Sequence, residues 1–281
     1  MHTPDQVYIE QLISRIDIPA LAHPIEQLQH LINSADVDIK AIVRLIEQEA
    51  GLSDAILAII NSPFNDSSQS FQRIESIITK FGLDTLFSFC AAIQLKKQLT
   101  RASSPLVNSL CTQSSAVANA MLFIGQKAER DIPPSLLYAI GTFHNAGMSL
   151  IAQRYEDYES TLAQATAEHV NSLRLEQQHY GLEHATLAYL IASHWNLSAN
   201  ICQLILHQHD IDYFDYASHS YLQIAFSILK AGEQLVHRAQ HQTDAPDWPE
   251  FKRVVLLILG ISANDMDQIY SEYLSVCNKI H

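Results

Sequence analysis

Apolar residues recur along this chain at the three-and-four spacing of a helix face, almost from end to end. Leu52, Ile56, Ile59 and Ile60 stand at i, i+4, i+7 and i+8, with Ser53 or a neighbour placed to cap the helix they predict. Leu106, Leu110, Val117, Met121 and Ile124 form a second stripe. Leu137, Ile140, His144, Met148 and Ile151 form a third, and Leu222, Phe226, Leu229, Glu233 and Val236 a fourth. The run VVLLIL (254–259) predicts a helix buried on most of its sides. Alternating segments flanked by hairpin turns are missing, so the predicted class is all-α.

The breaks between stripes are short. SPFNDSSQS (62–70) reads as a polar loop, and DIPP (131–134) as the start of a helix with Pro133 or Pro134 in its first turn. QTDAPDWPE (242–250) sets off a C-terminal helical pair. YFDYASHSY (213–221) reads as a connection between helices anchored by its aromatic residues. TRASSP (100–105) is the strongest break, and it divides the chain into two helical subdomains, residues 1–100 and 101–281.

Composition narrows the function. A net charge of −13 argues against a nucleic-acid binder, which concentrates Lys and Arg on one face. No apolar run approaches the roughly 20 residues of a membrane span, and the N-terminus has neither the basic nor the apolar region of a secretory signal. Cys90, Cys111, Cys202 and Cys277 are scattered without a CxxC pair, the pattern of buried thiols in a reducing compartment. A cytoplasmic protein is expected. Of the 14 histidines, His2, His219, His237, His241 and His281 are expected to face solvent.

Three N-terminal segments carry a family resemblance: DIPALAHPIEQLQHLI (17–32), LIEQEAGLSDAILAIINSP (45–63) and IESIITKFGLDTL (74–86). Taken in order they resemble the signature of the HDOD family, a signalling branch of the HD superfamily. The departures are mild: the usual Asp-Pro reads Glu49 and Ala50, and the usual Leu-Gly reads Phe81 and Gly82. SSAVANAM (114–121), YAIGTFHNAGM (138–148) and YGLEHATLAYLIASHWNLSANICQLILHQHD (180–210) resemble the HD part. The resemblance covers about residues 15–240 and implies that the second subdomain is an HD-like helical bundle; the last forty residues match nothing in it.

HD hydrolases use a divalent ion, held by His and Asp, to activate water for attack on phosphorus. Set against that pattern, Gln113 stands where the first His belongs. His144 is kept, but its partner is Asn145 instead of Asp, and the last Asp aligns with Gly232. His184 and one of His207 or His209 match the further histidines. No carboxylate is left in this set, and the amides of Asn and Gln replace charged ligands with neutral carbonyls. One reading makes Gln113, His144, Asn145 and His184 a hydrogen-bonded polar knot where a metal once sat. The other keeps a three-imidazole metal site from His144, His184 and either His207 or His209.

The resemblance implies a non-catalytic bacterial regulator that needs no cofactor and works by binding a kinase, a response regulator or another signalling protein. A nucleotide-like ligand in the old pocket is a further expectation. The competing one is a residual phosphohydrolase acting on a nucleotide or cyclic dinucleotide.

Overall fold

A computed structural model describes residues 6–65, 70–101, 104–128, 132–168, 170–216 and 220–280. Parts of the segments at 62–70, 100–105, 131–134 and 213–221, and residues His2, His219 and His281, lie outside them. Within the described residues the chain is helical and has no strand, as the stripes predict. None of the helices among the described residues is long and apolar enough to cross a membrane.

The first part runs through α1 (Gln6–Arg15), α2 (His23–Ile32), α3 (Ile39–Gln48), α4 (Leu52–Ile60), α5 (Ile74–Phe81) and α6 (Leu83–Leu99). Asp38 begins α3 by accepting the Ala41 N–H at 3.1 Å, which satisfies one of the free amides of the first turn. The second part is built on α7 (Pro105–Lys127), capped by the Ser104 hydroxyl and opened by a proline that needs no amide partner. After it come α8 (Pro134–Phe143), α9 (Ala146–Arg154), α10 (Tyr158–Glu168), α11 (Ser172–Tyr180), α12 (His184–His194) and α13 (Ala199–Leu206). The chain ends with α14 (Tyr213–Tyr216), α15 (Ser220–His241), α16 (Trp248–Leu259) and α17 (Ala263–Ile280).

Helix α7 is the axis of the bundle, with α8, α9 and α15 against it; α6 packs along α8 from across residue 101. Buried side chains from Leu12 to Tyr273 form one continuous apolar cluster spanning both parts. A polar tie reinforces it: the Trp195 indole N–H, at the end of α12, donates to the Pro19 carbonyl at 2.9 Å.

Two of the predicted stripes need correction. The third is not one helix: α8 ends at Phe143, His144 caps it, and α9 starts at Ala146. The apolar spacing carries across the break because α9 resumes on the same side of the core. The VVLLIL run is not enclosed either, since Leu257 is 78% exposed while Val255 and Leu259 are buried. It is an amphipathic surface helix whose outer face is unusually apolar.

The break at His144 depends on close packing behind it. A β-carbon at Gly147 would lie 2.0 Å from the backbone oxygen of His184, and one at Gly141 would lie 2.4 Å from the Ala118 α-carbon. The missing side chains let α9 sit directly on the start of α12. Gly147→Ala is therefore expected to destabilise the protein by about 1–3 kcal/mol or more, measured by urea unfolding. Unchanged stability would show that the start of α12 is free to move.

Candidate functional site

His144 and Asn145 form the corner between α8 and α9, so the backbone turns where the two polar side chains enter the core. The His144 ring is completely buried, and its Nδ1 lies 2.8 Å from the Gly141 carbonyl. That contact assigns the proton to Nδ1 and leaves Nε2 without a hydrogen-bond partner, 3.7 Å from Glu233 Oε1. The buried Gln208 amide holds the corner by donating to the His144 carbonyl at 2.7 Å.

His184 opens α12 and is held from α11. Both its backbone N–H and its Nδ1 lie 2.8 Å from Glu176 Oε2, and Tyr158 donates its hydroxyl to Glu176 Oε1 at 2.7 Å. The carboxylate puts the imidazole proton on Nδ1, so Nε2 accepts from His209 Nε2 at 3.1 Å. The inward histidine of the HQH triplet is therefore His209. His207 turns away, stacks on Tyr213 with rings 5.4 Å apart, and lies 3.5 Å from Asp210.

Sequence reasoning missed the group at the centre. Lys230, on α15, is 2% exposed, and its Nζ lies 2.9 Å from Glu233 Oε2 and 2.9 Å from Asp247 Oδ2. The ammonium also sits 4.8 Å from the centre of the Phe251 ring. Burial alone would pull the Lys230 pKa down, but the two carboxylates outweigh it and hold the amine charged. Burial likewise opposes ionisation of Asp247, yet the Lys230 charge holds its pKa far below the usual range.

The site corrects two expectations. Carboxylates are present, because Glu176, Glu233 and Asp247 all reach it. Gly232, aligned with the last Asp, faces α7 instead; a β-carbon there would lie 3.2 Å from Met121 Cγ, and it is the next residue, Glu233, that meets His144. Lys230 and Glu233 left a readable trace, as two charged residues in an apolar helical stretch. Glu176 and Asp247 left none, since each reaches the site from a helix or loop whose approach only the fold defines.

Beside this nest opens a cleft of about 330 Å³. Gln113, Asn145, His209, Glu233 and Asp247 line its polar part; Leu110, Met148 and Leu162 belong to its apolar wall. The side-chain amide oxygen of Asn145, Oδ1, is buried there without a partner. His237 and His241, expected to face bulk solvent, line the cleft as well. No Lys or Arg is among the described residues that line it, so a phosphate entering the cleft would meet no exposed cation.

The residues do not fit a divalent ion as they stand. Among the described residues no three His, Cys, Asp or Glu side chains converge on a point that could hold one. The reason is chemical as well as geometric: Lys230 already occupies Glu233 and Asp247, and Glu176 is spent on His184 and Tyr158.

A helical bundle with a His-centred polar core between α8, α12 and α15 defines an HD-like fold. The HDOD domain model matches residues 18–211, and the chain belongs to the HDOD family. A solved HDOD domain protein of unknown function from Geobacter sulfurreducens aligns with a TM-score of 0.66 at 18% identity, covering 98% of this chain and 95% of that one. A protein from Shewanella amazonensis, provisionally assigned as a phosphohydrolase, aligns with a TM-score of 0.67 at 16% identity, covering 97% and 94%. A protein from Marinobacter aquaeolei, provisionally assigned to signal transduction, aligns at 0.62 and 15% identity, covering 96% of this chain and 62% of its own. At these identities the likeness is one of fold. No protein with a curated description matches the chain.

Two predictions follow from the charges. Lys230→Met leaves two partly buried carboxylates uncompensated and is expected to cost about 2–4 kcal/mol in chemical unfolding, somewhat less than breaking a fully buried pair; a cost below about 1 kcal/mol, the range of exposed pairs, would contradict the ion-paired triad. The acid response has a fixed sign. Burial lowers the His144 pKa from 6.5 to about 3, and burial together with Lys230 lowers that of His209 to about 4. Both rings then take up protons more readily in the unfolded chain, so stability falls as the pH drops from 6.5 toward 4. Glu176 adds to this lower down: burial opposes its charge, but His184 and Tyr158 bring its pKa from 4.5 to about 2, so its contribution is lost between those values. Each group contributes at most about 1.4 kcal/mol per pH unit. A urea-unfolding series from pH 7 to 4 is expected to show this decline, and a flat profile would contradict the buried neutral imidazoles.

Proposed function

We propose that this HDOD protein is a non-catalytic regulator that acts by binding, with residues 1–100 and the bundle of residues 101–281 as two parts of one signalling scaffold. One observation carries the reading: each acidic group at the site is already engaged from within the chain, Glu233 and Asp247 in ion pairs with Lys230 and Glu176 in hydrogen bonds from His184 and Tyr158. A hard divalent ion needs carboxylate oxygens free to coordinate it, and without one no water is activated for attack on phosphorus. The hydrogen bonds from Gln208 to the His144 carbonyl, from His184 to Glu176 and between His184 and His209 act as a framework that keeps the bundle in one conformation, with Gln113 and Asn145 on the cleft wall beside it. The likeness in fold to a protein provisionally assigned to signal transduction agrees with this role. The expected partner is a kinase, a response regulator or another regulator, met by the folded scaffold.

The test is turnover. Purified protein incubated with Mn²⁺ or Fe²⁺ and a cyclic dinucleotide, a nucleoside triphosphate or a chromogenic phosphodiester is expected to release no product above the metal-only blank. Hydrolysis that a chelator abolishes would replace this reading with that of a residual phosphohydrolase.

A further inference from the structure

The polar groups around the cleft are mismatched in one direction, because hydrogen-bond acceptors outnumber donors. The Gly141 carbonyl puts the His144 proton on Nδ1, so the bare Nε2 of that fully buried ring faces Glu233 Oε1 at 3.7 Å with no proton between them. His209 donates from Nε2 to His184, which leaves its own Nδ1 bare, 3.5 Å from Asp247 Oδ2. Both nitrogens are buried and have no hydrogen-bond partner, and the same is true of Asn145 Oδ1. A buried acceptor without a partner is destabilising until a donor reaches it.

Charge points the same way. Two carboxylates, Glu233 and Asp247, stand against the single ammonium of Lys230, an excess of one negative charge. Burial raises the Glu233 carboxyl above its ordinary value in spite of Lys230, and Asp247 adds to the rise. Glu233 and Asp247 line the cleft and keep 16% and 22% of their side-chain surface; Lys230 keeps 2% and is not among the described residues that line it. The triad therefore turns its negative side to the cleft.

The opposite wall is aliphatic, with Leu110, Met148 and Leu162. None of the described lining residues is Phe, Tyr or Trp, so an aromatic cage for a quaternary ammonium is missing. The volume of about 330 Å³ is that of a small-molecule site. The acceptors are dispersed and do not converge as metal ligands must. The N–H groups of an organic cation point in several directions and stop about 3 Å from each acceptor.

We propose that this cleft binds a small organic cation, a primary ammonium or guanidinium group on an aliphatic body, with its N–H groups on Glu233, Asp247 and Asn145 and its carbons against Leu110, Met148 and Leu162. This rests on the non-catalytic reading and deepens it: the ligand is held and not cleaved. It touches α7, α9, α10 and α15 at once, so its arrival ties those helices together and gives the scaffold a state to relay.

The experiment titrates the parent protein by calorimetry near neutral pH with n-pentylamine, n-butylguanidine, pentyltrimethylammonium, 1-pentanol and pentanoate. The amine and the guanidine are expected to bind once per chain, at least about 10-fold more tightly than the alcohol or the quaternary ammonium, and pentanoate not at all. Leu162→Trp, which fills the cleft, is expected to abolish binding. Asn145→Leu is expected to weaken the amine about 5-fold and to melt no lower than the parent, since it removes an acceptor that has no partner. The ranking of the five probes on the parent decides the assignment whether or not a variant folds. Failure of both amine and guanidine to bind, another probe binding as tightly as they do, or amine binding that Leu162→Trp leaves intact overturns it. Each of those results leaves the non-catalytic reading standing, which falls only to metal-dependent turnover.

Discussion

A lysine amine buried to 2% exposure inside a helical bundle has to be matched by negative charge, and the arrangement around α15 follows from that requirement. Two unit charges 4 Å apart attract by about 4 kcal/mol at the effective dielectric of a protein site. Two such pairs can offset the cost of taking the ammonium out of water only if both carboxylates are held in place. Glu233 is held because it lies one helical turn from Lys230 on the same face. Asp247 is held because α16 begins beside it and packs Phe251 under the amine. The C-terminal segment, which the family resemblance does not reach, thus supplies one of the two counter-charges on which the centre depends.

The rest of the polar core is arranged around that triad. Burial, with the Lys230 charge adding to it, keeps His144 and His209 neutral. Glu176 is turned toward the His184 backbone and ring, which ties α11 to the first turn of α12. Gln208 secures the corner at His144. The connections that remove the carboxylates from metal chemistry also tie α15 to the start of α16, and α10 and α11 to α12. A scaffold that displays fixed surfaces to a partner benefits from such ties, because paired buried polar groups favour one helix packing over its alternatives.

Much of this was legible in the chain before its fold was known. The four stripes place real buried faces, and the Pro and Ser residues around 104 and 134 sit where helices begin. Gln113, Asn145 and His209 do meet in one cleft, with His144 and His184 behind it. What failed did so for identifiable reasons. Periodicity cannot report a helix break when both pieces face the same core, which hid the corner at His144. An apolar hexamer such as VVLLIL carries no polar residue to mark its outer side, so only tertiary contacts expose Leu257. Placing the last ligand at Gly232 missed the site by one residue, and one residue turns a helical side chain by about 100°. Aligning with the family's ligands also asked where its carboxylates had gone, a question that cannot find a buried lysine.

The most direct measurement is anomalous X-ray scattering from crystals of the unaltered protein grown with millimolar Mn²⁺ and, separately, Zn²⁺. The account predicts electron density for the Lys230 amine between Glu233 and Asp247 and no anomalous peak among His144, His184 and His209. A metal peak bound by those histidines or carboxylates, with the Lys230 side chain swung away, would contradict it.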